Sequence, residues 1–135
     1  MGPLLFQIYI IDLPHGITSS ARLFADDCIL YRAIRNITDY IALQSDLDWL
    51  VIWEMTWQMH FNVTKCYSMS ISHKKTKTFY NYTMRQSTLE TIHNYPYLCV
   101  IISDDLSWTN EVNKVKSKAN RTLGMLCGYM WSCKS

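Results

Sequence analysis

The amino-acid sequence of 135 residues predicts a mixed α+β protein. Two short apolar runs, residues 21–25 and 28–32, flank a pair of aspartates, and this pattern predicts a β-hairpin with an acidic tip. Apolar residues then recur at three- and four-residue spacing from Leu43 to Trp57, as on one face of an amphipathic helix. A later apolar β run, residues 97–102, is followed by a second helical pattern. Strands and amphipathic helices within one short chain indicate the α+β class.

Composition and charge narrow the classes of protein that the sequence can encode. Hydrophobic residues make up 49% and charged residues 18%, which excludes wholesale disorder. The net charge of +2 permits a nucleic-acid partner without arguing for one. The longest apolar run, residues 4–11, is interrupted by Gln7 and is shorter than the roughly 20 residues of a membrane helix. We therefore expect no membrane partner.

The cysteines and the first residues bear on the cellular compartment. Five cysteines without a C-x-x-C pair fit neither a disulfide framework nor a zinc site. The first residues lack the basic start and the small-residue cleavage site of a secretory signal. The sequence thus predicts an intracellular protein, in the cytoplasm or nucleus, with reduced thiols. The four N-x-S/T sequons are then chance occurrences rather than glycan sites.

Helix candidates lie on both sides of the predicted hairpin. Residues 2–13 fit a helix or a buried strand, because a short apolar run does not distinguish the two. The Pro14-His15-Gly16 sequence then breaks the chain. Thr38 is expected to cap a helix that ends near Gln58. The tryptophans of this helix recur every four residues and are expected to pack in the core: Trp49, Trp53 and Trp57.

The second half of the chain contains short strand candidates and a basic helix. Strands are predicted at residues 65–72, 78–84, 89–92 and 97–102, with a solvated basic turn at residues 73–77. Thr109 is expected to cap the last helix, whose apolar face extends from Val112 to Met130. The opposite face is expected to carry the cations Lys114, Lys116, Lys118 and Arg121.

Asp26 and Asp27 are the residues whose chemistry most needs explanation. Adjacent carboxylates repel each other unless a cation or solvent lies between them. Mg²⁺ prefers oxygen ligands and keeps several waters, so one or two aspartates and a substrate phosphate form an ordinary site. From the two aspartates alone, an exposed acidic turn is the better interpretation, and Asp104-Asp105 fits such a turn as well.

The sequence around this pair favours a metal site over an exposed acidic turn. The motif Phe24-Ala25-Asp26-Asp27 lies between β-prone runs, and residues 2–14 have the sequence GPLLFQIYIIDLP. Further along the chain, residues 57–66 are WQMHFNVTKC and residues 97–108 are YLCVIISDDLSW. In the same order, these segments resemble F/Y-x-D-D, G-P-L-L-F-x-I-Y-I-N-D-L-P, W-x-M-x-F-N-x-x-K-C and Y-L-G-V-x-I-S-x-D-L-S-W. These are motifs of the reverse transcriptases of non-LTR (LINE-type) retrotransposons.

The resemblance implies part of a ferredoxin-like polymerase palm. Residues 1–94 would supply a helix, the catalytic β-hairpin, a covering helix and strands. Residues 95–135 would supply the strand at the palm–thumb junction and the start of the thumb helix. The implied activity is that of an RNA-directed DNA polymerase, with two Mg²⁺ ions and phosphoryl transfer at a primer 3′-hydroxyl. The implied partners are an RNA template, a DNA primer and deoxynucleoside triphosphates.

The same resemblance implies roles for individual residues. Asp26 and Asp27 would be catalytic carboxylates that bind metal. Lys65 would lie near the incoming triphosphate, although an ordinary surface lysine fits that position equally. Leu98 and Cys99 would contact the primer end. The basic face of the last helix, with Lys114, Lys118 and Arg121, would contact the nucleic-acid backbone.

Departures from the family pattern modify these expectations. The first metal-binding aspartate of the family lies on a strand that would precede Gly2, so we expect this chain to be a fragment that is inactive alone. Cys99 occupies the position of a glycine, and Ile11 that of an asparagine. Two alternatives therefore stay open. Besides a polymerase fragment, the chain would be a degenerate remnant that binds nucleic acid weakly through its basic helix or does nothing, or a small domain whose Asp-Asp turn is incidental.

Overall fold

A computed structural model describes residues 2–74 and 80–132, which form a mixture of helices and small antiparallel strand pairs. These residues divide into two compact units. Unit 1 contains residues 2–67 and 80–90, and unit 2 contains residues 68–74 and 91–132. The helices are α1 (Gly2–Ile10), α2 (Ile37–Trp57) and α3 (Thr109–Ser132), with 3-10 turns at Leu13–Gly16 and Val63–Lys65. The strands are β1 (Ser20–Phe24), β2 (Asp27–Tyr31), β3 (Tyr67–Ser68), β4 (Thr83–Met84), β5 (Ser87–Thr88), β6 (Glu90–Thr91), β7 (Asn94–Tyr97) and β8 (Val100–Ser103).

Unit 1 is organised around α2. The predicted helix is confirmed, but its cap is Asn36 rather than Thr38, because the Asn36 side chain accepts a hydrogen bond from the Asp39 N–H (2.9 Å). The helix ends at Gln58, which has a left-handed φ of 54°. The choice left open for residues 2–13 is decided in favour of a helix over Gly2–Ile10.

The core of unit 1 lies between α2 and the segments that pack on it. Its buried apolar side chains are Ile10, Leu13, Leu50, Trp53, Met84 and Leu89. The core role predicted for the tryptophans is confirmed for Trp53. Trp49 is half-buried, and Trp57 is 40% exposed. The segment before β1 is fixed to α2, because the Asp46 carboxylate accepts hydrogen bonds from the backbone N–H groups of Thr18 and Ser19 (both 2.8 Å).

The strand predicted over residues 65–72 is wrong for most of its length. Lys65 ends a 3-10 turn, because the Asn62 side chain accepts from the Thr64 N–H (3.2 Å) and the Cys66 N–H donates to the Val63 carbonyl (3.1 Å). Only Tyr67–Ser68 is a strand. The predicted strand over residues 78–84 is present at Thr83–Met84, and residues 75–79, which include most of the predicted basic turn, lie outside the described residues.

Unit 2 contains a hairpin where the sequence predicted one strand. Strands β7 and β8 pair antiparallel from Asn94 opposite Ser103 to Tyr97 opposite Val100, and Leu98 and Cys99 form the loop between them. The prediction of a continuous run over residues 97–102 fails because both loop residues have positive φ, 47° and 70°. Thr109 is the first residue of α3 rather than its cap, and the Trp108 carbonyl accepts from the Val112 N–H (2.8 Å).

Candidate metal site and nucleic-acid interface

The predicted hairpin with an acidic tip is confirmed. Strands β1 and β2 pair from Ser20 opposite Tyr31 to Phe24 opposite Asp27. Ala25 and Asp26 form the two-residue loop, and Ala25 has a positive φ of 51°. Only the first loop residue has positive φ, which is the sign pattern of a type II′ hairpin turn. Both aspartates are exposed, Asp26 within the loop and Asp27 at the start of β2.

This tip offers carboxylate oxygens, the ligand type that Mg²⁺ prefers. Two exposed aspartates fit one side of such a site, because Mg²⁺ keeps several waters and takes the remaining ligands from a substrate phosphate. Within residues 2–74 and 80–132, however, no group of three or more His, Cys, Asp and Glu side chains is placed to hold a metal ion. The hairpin thus presents two candidate ligands, and a metal role for Asp26 and Asp27 stays a prediction.

A second adjacent aspartate pair, Asp104 and Asp105, has a different environment in unit 2. The Asp104 carboxylate lies 2.8 Å from Nδ1 of His93. The Asp105 carboxylate accepts a hydrogen bond from the Ser107 N–H (2.9 Å), and this bond lowers the pKa of Asp105 below its usual value. These contacts stabilise the turn that follows β8, which supports the interpretation of the Asp104-Asp105 pair as a structural turn.

Lys65 lies in unit 1, is exposed, and ends the Val63–Lys65 turn. Lys65 is followed by Cys66, and Asp27 is followed by Cys28. Both cysteines are half-buried and pack against the unit 1 core. Burial raises the pKa of Cys28 to about 11, and the charge of the Cys66 thiolate raises it as well. Asp27 and Lys65 therefore each precede a cysteine that packs on the same core. A role of Lys65 at a triphosphate stays a prediction.

Unit 2 brings three of the predicted nucleic-acid contacts together. The Lys114 Nζ atom on α3 donates to the Cys99 carbonyl (2.7 Å), next to Leu98 in the β7–β8 loop. Leu98 and Cys99 are both exposed. Part of the hydrogen-bonding capacity of Lys114 is therefore used within the protein, and its ammonium group fixes the loop to the helix.

Glu111, which no motif of the sequence marks as a site residue, completes this arrangement. Its Oε2 atom accepts from the Ile101 N–H (2.7 Å) and lies 3.6 Å from Lys114 Nζ. The three-residue spacing of Glu111 and Lys114 was visible in the sequence as a helical charge pair. The contact with Ile101 was not, because it depends on the unexpected turn at Leu98 and Cys99.

Lys118 and Arg121 extend from Lys114 along one stripe of α3. With 3.6 residues per turn, they lie within about 40° of Lys114 around the helix axis, and both are exposed. Lys116 lies about 200° from Lys114 and borders the apolar face. The expectation that Lys116 belongs to the basic face is therefore wrong, and we call Lys114, Lys118 and Arg121 the basic stripe.

Comparisons with known proteins support a distant relationship with the RNA-directed DNA polymerases of mobile elements. A curated relative, the RNA-directed DNA polymerase from mobile element jockey of Drosophila funebris, is 26% identical over 125 residues. The aligned region covers 86% of this chain and 14% of the relative, so the chain corresponds to a small part of that protein. No protein-family model matches the chain. No solved structure matches it either.

Across the described part of the chain, none of the helices combines the length and the apolarity needed to cross a bilayer.

Proposed function

We propose that this chain is part of the reverse transcriptase of a LINE-type retrotransposon. It would contribute the catalytic hairpin, the helix that covers it and the start of the thumb. The observation that carries the proposal is the two-residue turn that presents Asp26 and Asp27 at an exposed tip. The relationship to a mobile-element polymerase along 86% of the chain supports it.

In this proposal the hairpin tip holds divalent cations. The paired backbone of β1 and β2 fixes the tip, and the two carboxylates supply anionic oxygen ligands. When bound, Mg²⁺ supplies activation of a primer 3′-hydroxyl and neutralisation of the pyrophosphate that leaves. Lys65 would supply a positive charge for the triphosphate, and its exposed position at the end of the Val63–Lys65 turn, in the same unit as the hairpin, supports this role.

Unit 2 would serve the nucleic acid. The exposed Leu98-Cys99 loop would contact the primer end, and Lys114 holds this loop through the Cys99 carbonyl. Lys118 and Arg121 would then neutralise backbone phosphates, since lysine and arginine supply most of the sequence-independent affinity for nucleic acid.

Mg²⁺ binding by the 135-residue chain tests the hairpin directly. We expect calorimetric titration with MgCl₂ to show weak binding that Asp26→Asn/Asp27→Asn reduces at least about tenfold, since both carboxylates are lost. The matched control is Asp48→Asn/Glu90→Gln, which removes two exposed negative charges elsewhere in unit 1. Equal Mg²⁺ affinity in the two double variants would contradict a metal role for the hairpin.

The degenerate remnant is the second candidate function, and the basic stripe favours it. Such a remnant would bind a primer–template duplex weakly through its basic helix, with an affinity that falls steeply with salt and does not depend on Mg²⁺. Duplex binding measured with and without Mg²⁺ separates the two candidates. Mg²⁺-dependent binding that Asp26→Ala/Asp27→Ala abolishes supports the polymerase fragment, and binding that is indifferent to both supports the remnant.

A further inference from the structure

Helix α3 of unit 2 presents a long apolar side that the proposed polymerase function does not use. The helix extends over 24 residues, and all of residues 112–129 are exposed. The large apolar side chains in this range stay more than half exposed: Val112, Val115, Leu123, Met125, Leu126 and Tyr129. Apolar surface of this length on one helix is typical of a contact with another molecule rather than of a solvated face.

The exposed side has the spacing of a coiled-coil seam. Its central residues follow one another alternately by three and four positions, as the a and d positions of a heptad do. We call this row the α3 seam, and its members are Val112, Val115, Ala119, Thr122, Leu126 and Tyr129. A row with this spacing stays in contact with a second helix along its length when the two helices wrap around each other.

Thr122 is the polar member of the seam, and its hydroxyl is satisfied within α3. The Thr122 Oγ1 atom donates to the Lys118 carbonyl (3.1 Å). The side chain is therefore able to enter an apolar interface without leaving an unsatisfied hydroxyl, which would cost about 1–3 kcal/mol.

The charges beside the seam favour a second copy of this helix in the parallel orientation. Glu111 borders the seam on one side and Lys116 on the other. In a parallel pair, a residue on the first side lies opposite the residue five positions later on the second helix, so each Glu111 meets Lys116 of the other copy. An antiparallel pair would place both residues opposite the part of α3 after Arg121, whose sequence through Ser132 is uncharged.

Glu111 is held in place for such a contact. Its Oε2 atom accepts from the Ile101 N–H (2.7 Å) and also lies 3.6 Å from Lys114 Nζ. Both contacts use Oε2, which leaves Oε1 for a cation of the second copy. Because the β7–β8 hairpin already fixes this side chain, an ion pair between copies loses less side-chain entropy than one between two mobile chains.

We propose that two copies of this chain associate through α3 as a parallel coiled coil. The α3 seam forms the apolar interface, and two Glu111–Lys116 pairs lie at its edge. Lys114 and Arg121 share one heptad position outside the seam, so the dimer keeps these cations exposed to a nucleic acid.

Sedimentation equilibrium of the 135-residue chain measures this association. We expect a mass that rises with concentration from 15.9 kDa to twice that value, with a dissociation constant in the micromolar range because the seam is short. Leu126→Asp places an unpaired charge in the seam and should weaken the association at least about tenfold. The matched control Ser117→Asp adds the same charge on the outer side of α3 and should leave it unchanged.

Lys116→Glu tests the parallel orientation. It sets two carboxylates opposite each other and should weaken the association at least about threefold at 50 mM NaCl, with a smaller effect at 1 M NaCl, where the Debye length is about 3 Å. A monomeric mass at all concentrations, equal masses for Leu126→Asp and Ser117→Asp, or an unchanged association of Lys116→Glu overturns the proposal. A monomer that binds vesicles of phosphatidylcholine and phosphatidylserine through Leu126 overturns it as well. The Mg²⁺ titration of the hairpin is independent of these results.

Discussion

At the scale of single residues, the β7–β8 turn is the least expected feature of this chain. Leu98 and Cys99 both have positive φ, 47° and 70°, which is the requirement of a type I′ turn. Side chains with a Cβ atom lose about 1–2 kcal/mol in this region relative to the right-handed one. The motif that this segment resembles has glycine at the position of Cys99, so the unfavourable residue stands where the family pattern has conformational freedom.

Cys99→Gly should therefore stabilise the protein. Relief of the strain, about 1–2 kcal/mol, exceeds the extra entropy that a glycine loses on folding, about 0.5–1 kcal/mol. The urea midpoint, followed by circular dichroism, should rise by the equivalent of about 0.5–1 kcal/mol. The neighbouring Val100→Gly, at a position without positive φ, should lower it. A lower midpoint for Cys99→Gly would show that the turn is not strained at this residue.

Asp46 is the residue whose ionisation contributes most clearly to stability. Burial by itself raises the pKa of Asp46, but hydrogen bonds from Ser19 and Thr18 outweigh it and hold the pKa below its ordinary value. Because the folded-state pKa is lowered, the carboxylate stabilises the fold above the unfolded pKa of about 3.9. That contribution is lost as the pH falls through the folded-state value.

Asp46→Asn should thus destabilise the protein in a pH-dependent way. The Asp46 carboxylate accepts hydrogen bonds from two backbone N–H groups, but an asparagine amide has only one oxygen. Its NH₂ group would face one of these N–H donors, and the lost hydrogen bond costs about 1–3 kcal/mol. Urea unfolding at pH 7 should show this loss, and the difference from the unmodified protein should shrink below about pH 4. The exposed Asp48→Asn, on the same helix, should change stability by less than about 0.5 kcal/mol. A loss at Asp46 that is independent of pH would contradict the ionic interpretation.

At the scale of elements, α3 separates charge from apolar surface. Its apolar side chains are more than half exposed, including Val112 (58%), Leu123 (60%) and Leu126 (55%). The basic stripe occupies another side of the same helix. Lys118 and Arg121 remain exposed while Lys114 contacts the β7–β8 loop. The stripe therefore has two exposed cations available for phosphates.

Duplex binding should depend on the stripe rather than on the total charge of α3. Lys118→Gln/Arg121→Gln should reduce the slope of log K against log salt concentration by about 2, which is about 0.9 for each lost phosphate contact. Lys116→Gln removes a cation from the other side of the helix and should leave the slope nearly unchanged. A slope that falls equally for Lys116→Gln would assign binding to general charge.

The sequence predicts helices with a long apolar repeat, and strands with clearly bounded apolar runs, better than it predicts turns. Helix α2 follows from fifteen residues of regular apolar spacing, 43–57, and the β1–β2 hairpin from two apolar runs around the aspartates. The β7–β8 turn was missed because Leu98-Cys99 lacks the Asn and Gly that indicate such turns. The strand expected at Lys65 failed because local hydrogen bonds around Asn62 outweigh β propensity.

The candidate site was predictable to a similar extent. The acidic tip follows from two adjacent aspartates between β-prone runs, and the basic stripe follows from helical spacing. The contacts of Glu111 and Lys114 with the β7–β8 hairpin did not follow, because no pattern in the sequence indicates a turn there. The assignment of these residues to a palm and a thumb stays a prediction.

At the scale of the whole molecule, the two units carry different parts of the proposed machinery. Unit 1 holds Asp26, Asp27 and Lys65, and unit 2 holds the β7–β8 loop and the basic stripe. Helix α2 of unit 1 is apolar on opposite sides, since Leu50 and Trp53 are buried while Ile52 (61%) and Met55 (73%) are exposed. The outer side of α2 thus combines Ile52 and Met55 with polar residues such as Asp48, which is the mixed surface of an exposed helix face.

The isolated 135-residue chain should show no RNA-templated DNA synthesis. Its described residues group no more than two candidate metal ligands, whereas the resemblance implies a third aspartate. Incorporation of labelled deoxynucleotides on a primer–template, measured with Mg²⁺ present, should equal the background and should not change in Asp26→Asn. Incorporation above background that Asp26→Asn abolishes would show that the hairpin is sufficient.

The two-residue loops of this protein also bear on how it acquires its structure during synthesis. Strands β1 and β2, β4 and β5, and β7 and β8 are each separated by two residues. A hairpin forms in about 1–10 μs, whereas a ribosome adds about 5–20 residues per second. Each strand pair is therefore able to form and re-form its register many times in the interval in which one residue is added. Register selection in these hairpins is thus a local event that does not limit the rate at which the chain folds.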